Sequence, residues 1–207
     1  MLPVTEHFIL EEREHCQIVH LISSDGINRL TRERLRDLIT LFESGLDHAK
    51  PLIFAGNENF FSSGADLNEI AALGSPDALE FATHGQRLMR LVDDFPHAVY
   101  AAVSGYCLGG GLDLALACDQ RVCSANAVLG HRGAALGLIT GWGGTQRLSR
   151  LVGRARALQM FVAAEKLGAA DALDAGLVSE IAPEALTRCI ELAERQRSAR
   201  PERSLVL

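Results

Sequence analysis

Two glycine-containing segments hold the residues whose types and spacing bear on chemistry, FSSGADL over 61–67 and SGYCLGGGLDL over 104–114. Each follows an apolar run and opens a helical pattern. Such a junction leaves the first N–H groups of the helix unpaired and aimed along its axis. Those donors and the helix dipole favour negative charge in front of them, and glycine lets a ligand approach the backbone closely. Two such ends facing each other would make an oxyanion hole, in which one donor is worth about 2.7–4 kcal/mol of barrier in acyl chemistry. The plainer reading of either loop alone is a tight turn. Neither G-x-G-x-x-G nor G-x-x-x-x-G-K-[ST] occurs, which argues against a nucleotide phosphate cradle. The run Gly105-Tyr106-Cys107-Leu108-Gly109 also fits a nucleophile elbow with cysteine as the nucleophile. A hydrolase of that kind needs its histidine later in the chain, where only His131 follows, too close for the usual architecture.

Alternating strands and helices must position these loops. Cys16–Ile22 reads as a strand, and the turn residues that follow lead to a helix from Thr31, with Leu35, Leu38, Ile39, Phe42 and Leu46 at helical spacing. Pro51–Ala55 is a wholly apolar run, as in a buried parallel strand. Gly56–Gly64 reads as a loop, with Asp66 as cap of a short helix through Ile70. Ser75 and Pro76 start a helix whose buried stripe is Leu79, Leu88, Met89 and Val92, ending before Pro96. Ala98–Val103 is a second apolar run entering the glycine turn Ser104–Gly111 and a helix after it. Strands are expected over Asp119–Ala125 and Ala127–Gly130, and helices over Gly144–Val152 and Arg154–Ala164. A short helix and strand over Gly168–Ser179 and a last helix over Pro183–Ser198 complete an α/β layered fold.

Composition bounds the function. The chain has 207 residues, 48% of them hydrophobic and 22% charged, which suits one globular domain. A formal net charge of −6 argues against nucleic acid as partner. The basic stretch from Arg147 to Arg156 reads as a solvated face, with some arginines able to meet the phosphates of a small anionic ligand. The five cysteines are odd in number and form no C-x-x-C pair, so neither a disulfide framework nor a metal site is expected. No run approaches the roughly 18 apolar residues of a membrane span, and the N-terminal segment turns acidic at once, unlike a signal peptide. A cytoplasmic protein without a membrane partner is the expectation.

Taken together, FFSSGADLNEI, AAVSGYCLGGGLDLALACDQRV, LGLITGWGGTQRLSRLVG and AADALDAGLVSEI resemble the crotonase superfamily, the enoyl-CoA hydratase/isomerase fold, in the family's order and spacing over about residues 50 to 182. The resemblance implies a spiral of ββα units with flanking helices. It implies an acyl-CoA thioester as ligand, its oxygen held by the N–H groups of Ala65 and Gly110, with Gly64, Asp66, Leu67, Gly109, Gly133 and Trp142 around the substrate. It further implies a trimer or hexamer and no cofactor beyond the coenzyme A of the substrate itself. Asn28-Arg29-Leu30 resembles the family's N-A-L segment near the CoA entrance, without the usual Arg-Pro before it.

The chain departs from that pattern at the residues that would move protons. The family's first glutamate position holds Asp113, and its second, aligned on Gly130 and Gly137, falls on Gly133, which can neither give nor take a proton. Asp113 keeps an acid but draws it back by one methylene, and a displacement near 1 Å can cost on the order of 10²-fold. Its plainer role is a first-turn carboxylate complementing the helix dipole. His131 is the candidate replacement: in an extended segment residues 131 and 133 share a face, the alternative being a surface or supporting histidine. Trp142 reads as packing or lining the glycine loop. The expected organisation is a core over 1–182 and a C-terminal helix and tail over 183–207, shorter than in the family. Three functions remain: an acyl-CoA enzyme stabilising an enolate, with Asp113 or His131 moving the proton; a non-catalytic acyl-CoA-binding or assembly module; and a cysteine hydrolase using Cys107.

Overall fold

The computed structural model describes residues 5–196. Chain order is β1 (Phe8–Glu12), β2 (Gln17–Leu21), β3 (Arg29–Leu30), α1 (Arg32–Ser44), β4 (Leu52–Ala55), β5 (Phe60–Ser62), β6 (Gly64–Ala65), α2 (Leu67–Ala71) and α3 (Ser75–Asp93). There follow β7 (Val99–Val103), β8 (Tyr106–Leu108), α4 (Gly110–Ala117), β9 (Gln120–Cys123), β10 (Val128–Gly130), a 3-10 turn (Gly133–Leu136), α5 (Gly144–Val152) and α6 (Arg154–Val162). The chain closes with β11 (Lys166–Gly168), α7 (Ala169–Asp174), β12 (Glu180–Ile181) and α8 (Ala185–Arg195). Among the described residues no helix is long and apolar enough to cross a membrane.

Six strands form the main sheet in the order β1-β2-β4-β7-β9-β12, parallel except for the β1–β2 hairpin. The apolar runs LIFA of β4 and VYAAV of β7 are buried along their whole length, because helices cover both faces of this sheet. A second sheet, β11-β10-β8-β5, and the short pair β3-β6 stand beside it. Each turn of the chain sends its first strand to the main sheet and its second to the smaller one before a helix returns: β4 then β5, β7 then β8, β9 then β10. This is the expected spiral of ββα units.

Local chemistry sets the helix starts. The Thr31 hydroxyl accepts from Arg34 N at 3.1 Å to cap α1, and Asp66 accepts from Asn68 N and Glu69 N at 2.8 and 3.1 Å to cap α2. Pro76 sits in the first turn of α3, where its missing N–H costs nothing. On the outer face of the main sheet, α8 lays Ala185, Cys189 and Ala193 against Ile18, Ile53, Tyr100 and Val122. Small residues on that helix face let it lie close to the strands.

Several expectations need correction. Gly56–Gly64 is not all loop: β5 and the start of β6 lie in it, because the run NFFS finds the edge of β8 and buries Phe61. Ser104–Gly111 likewise contains β8, paired on both sides. Leu79 is 72% exposed, unlike Leu88, Met89 and Val92, since the first turns of α3 project beyond the core. The strand expected within Gly168–Ser179 is β12, which begins just after it. The last helix stops at Arg195, and the remainder of the expected C-terminal tail lies outside the described residues.

Candidate active site

The two glycine loops converge. Gly64, at φ 90°, turns the chain so that β6 runs alongside the start of α4. A Cβ on Gly64 would lie 2.7 Å from Gly110 N, and one on Gly110 3.3 Å from Ala65 N, so the two peptide units are in contact. Gly109 has φ 53° and ψ −121°, a conformation that requires glycine and turns β8 sharply into α4. Gly110 is the first residue of that helix, so its N–H has no partner within the helix. Ala65, Gly109 and Gly110 line a cavity of about 380 Å³, together with Leu67, Asp113, His131, Gly133 and Trp142. Trp142 is buried, its indole packed on Gly110 and on Gly85 of α3 and edge-on to Phe81 at 5.2 Å. It therefore both roofs the loop and belongs to the core.

Asp113 projects from the first turn of α4 into the same cavity and is 1% exposed. Thr140 donates its hydroxyl proton to Asp113 Oδ2, while Oδ1 has no hydrogen-bond partner among the described residues. Desolvation pushes Asp113 up to about 7, outweighing the Thr140 hydrogen bond and the nearby Arg147, both of which favour the carboxylate. His131 follows β10 directly, and burial holds its imidazole down at about 4. Its Nε2 stands 3.4 Å from Asp113 Oδ1 and is likewise unpartnered. At neutral pH the imidazole is uncharged, so this is a contact of two polar groups and not an ion pair. Gly144, the first residue of α5, passes directly over them: a Cβ there would collide with Asp113 Oδ1 and lie 2.9 Å from His131 Nε2.

Against this geometry the comparisons with known proteins are specific. The sequence profile described as "Enoyl-CoA hydratase/isomerase" matches residues 13–203. The chain belongs to the enoyl-CoA hydratase/isomerase family. It is 35% identical over 179 residues to "Crotonyl-CoA hydratase" of Syntrophomonas wolfei subsp. wolfei, covering 85% of this chain and 69% of that one. It is 44% identical over 131 residues to "Probable enoyl-CoA hydratase" of Bacillus subtilis, an alignment covering 63% of this chain and 51% of the relative. In three dimensions it is similar to Pseudomonas aeruginosa DspI, with TM-score 0.88 and 33% identity over 92% of this chain and 74% of that one. It is also similar to an enoyl-CoA hydratase from Bacillus anthracis, with TM-score 0.86 and 31% identity over 91% of this chain and 76% of that one.

Within this member of the enoyl-CoA hydratase/isomerase family, eight of the ten residues singled out from sequence share one cavity wall. Gly64 and Asp66 do not line it. Gly64 serves the turn, and Asp66 spends its side chain capping α2 and facing Arg29 at 3.6 Å. The segment beyond Gly130 is not extended, because a 3-10 turn begins at Gly133, so His131 reaches Asp113 without sharing a face with residue 133. A Cβ on Gly133 would lie 2.6 Å from the Leu138 carbonyl oxygen, so the loop closes over this position and no side chain fits without moving it. Arg147, expected on a solvated face, turns inward to Asp93 at 3.2 Å and to the Trp142 carbonyl. Cys107 is fully buried in β8 and desolvation pushes its thiol well up, which withholds the thiolate a hydrolase would use. Sequence reasoning missed Thr140, Arg147, Gly144 and Gly85. The run GWGGT carries part of the family resemblance and Trp142, but nothing local to it points at Asp113.

Proposed function

We propose that this chain is an acyl-CoA enzyme that stabilises an enolate thioester and moves a single proton with Asp113. The observation that carries the reading is a buried carboxyl, Asp113, with Oδ1 unpartnered among the described residues, in the same cavity wall as Ala65 and Gly110; desolvation raises it to about 7. In this account the thioester oxygen accepts from the N–H groups of Ala65 and Gly110. Charge developing on that oxygen is met by fixed donors and by the N-terminal dipole of α4. The α-carbon proton passes to Asp113, whose pKa near neutrality suits it to take and return a proton. Thr140 fixes the carboxyl by holding Oδ2, which leaves Oδ1 to act. The cavity is lined in large part by Leu67, Ile70, Phe81, Leu136, Leu138 and Ile139, which suits an apolar acyl group. The names of the relatives, crotonyl-CoA and enoyl-CoA hydratases, support the substrate class. No cofactor is needed beyond the coenzyme A that the substrate brings.

A second reading, an acyl-CoA-binding module without turnover, draws on Gly133, where the loop backbone occupies the space a second carboxylate would need. The two are separated by binding of acetoacetyl-CoA, followed by turnover of crotonyl-CoA and a 3-enoyl-CoA with native protein, Asp113→Asn and His131→Ala. The enzyme reading expects binding by all three and turnover strongly reduced in Asp113→Asn. Binding without turnover of any thioester by the native protein leaves the module, and failure to bind any CoA ester removes both.

A further inference from the structure

His131 stands between two cavities. A larger groove, about 800 Å³, lies on the other side of the 131–140 segment, between that segment and α5 and α6. His131, Gly133, Leu138, Ile139 and Thr140 belong to the walls of both. The groove is open: Gln146, Arg150 and Arg154 are exposed along it, beside the exposed Leu158 and Val162. The Asp113 side chain is only 1% exposed in the acyl cavity, and the imidazole joins the two spaces through a side chain only 4% exposed.

The pair it makes with Asp113 is otherwise unexplained. Two buried polar atoms, Asp113 Oδ1 and His131 Nε2, face each other without hydrogen-bond partners among the described residues, and leaving such atoms unpaired is costly. Their 3.4 Å separation is just beyond the reach of about 2.6–3.2 Å that proton transfer uses. Among the described residues no other acid or base faces the pair closely. Phe161 of α6 lies tilted against the ring at 5.2 Å, Thr140 holds the far carboxyl oxygen, Arg147 of α5 acts on Asp113 by charge, and Arg132 is exposed.

We propose that His131 relays the proton between Asp113 and water in the outer groove, giving the site a proton route separate from the mouth that admits the thioester. This rests on Asp113 being the residue that takes the α-proton. With that proton on Oδ1, the Oδ1–H bond breaks as an Nε2–H bond forms on the neutral ring, and the hydrogen on Nδ1 passes to a groove water. The carboxylate is regenerated and the water carries the proton away. Reprotonation runs the same path backwards, entering at Nδ1 and leaving from Nε2, so the ring recovers its starting tautomer within one cycle. The low basicity of the buried ring keeps it neutral at rest and makes imidazolium a transient.

The test is exchange of the α-protons of butyryl-CoA with D2O, followed by mass spectrometry, with acetoacetyl-CoA binding as the check on folding. Native protein should exchange, and His131→Ala should exchange at least tenfold more slowly with binding retained. Imidazole, which can enter the vacated space from the groove, should restore exchange; pyrazole, of the same shape but far less basic, should not. His131→Gln, which keeps the volume without a relay, should behave as His131→Ala and serves where the alanine variant does not fold. Native exchange rates in both variants overturn the relay, and so does equal rescue by imidazole and pyrazole, which marks a packing role. Binding without any exchange by the native protein overturns the Asp113 reading itself, and the relay with it.

Discussion

At the scale of single residues, the competition at Asp113 decides the chemistry. A carboxyl in the first turn of a helix ordinarily gains from the dipole, yet here desolvation wins and moves it from an ordinary 3.8 to about 7. Asp113→Asn keeps the shape and removes the base, so turnover and α-proton exchange should fall by about 10²–10⁴ with acetoacetyl-CoA binding little changed; isothermal titration beside a rate assay checks both. The same shift is a stability statement. Between 3.8 and about 7 the folded protein holds a proton that the unfolded chain has released, so Asp113 makes stability fall as pH rises through that window, by on the order of 4 kcal/mol. His131 has the opposite sign. Its folded pKa of about 4 lies below 6.5, the unfolded chain binds the proton first, and its contribution is lost as pH falls through 6.5 towards 4, by on the order of 3 kcal/mol. In the native protein the two slopes nearly cancel. Urea unfolding from pH 4 to 8 should uncover them one at a time: His131→Phe should lose stability as pH rises, Asp113→Asn should gain it. Parallel curves for all three proteins would contradict the assignment.

At the scale of elements, what the sequence made legible were the pieces whose signal is local. The buried strands PLIFA and AVYAAV, the caps at Thr31 and Asp66, and the glycine start of α4 all emerge from short-range pattern. What it hid were contacts between distant elements. The strands β5 and β8 are three residues each and are held by neighbours far along the chain, so amid polar and glycine-rich flanks they read as loop. Thr140 reaches Asp113 across 27 positions, and no spacing rule connects them. The way α5 passes over the Asp113–His131 pair gives a prediction at this scale. Gly144→Ala should cost about 1–3 kcal/mol and displace the carboxyl, read as a lowered denaturation midpoint together with lost α-proton exchange. Gly133→Glu, which restores an acid on paper, should not create hydratase activity, because the new side chain meets the Leu138 carbonyl at its first atom. Gain of crotonyl-CoA hydration by that variant would mean that the 133–139 loop moves freely.

At the scale of the molecule, the spiral brings the ends of β5–β6 and β8 together over one cavity, and α8 braces the main sheet from behind. Ala193 is packed flat in that brace. Enlarging it to leucine should lower stability by about 1–3 kcal/mol while leaving acetoacetyl-CoA affinity unchanged, since the sheet separates the brace from the site; urea midpoints and titration calorimetry test the pair of expectations. The central claim is that the fold holds the N–H groups of Ala65 and Gly110 ready for a thioester oxygen. The most direct measurement is the carbonyl stretching frequency of a thioester-carbon-13-labelled acetoacetyl-CoA, free and bound, by infrared difference spectroscopy. Polarisation by two donors predicts a clear downward shift on binding that persists in Asp113→Asn. A bound carbonyl that absorbs where the free one does would contradict it.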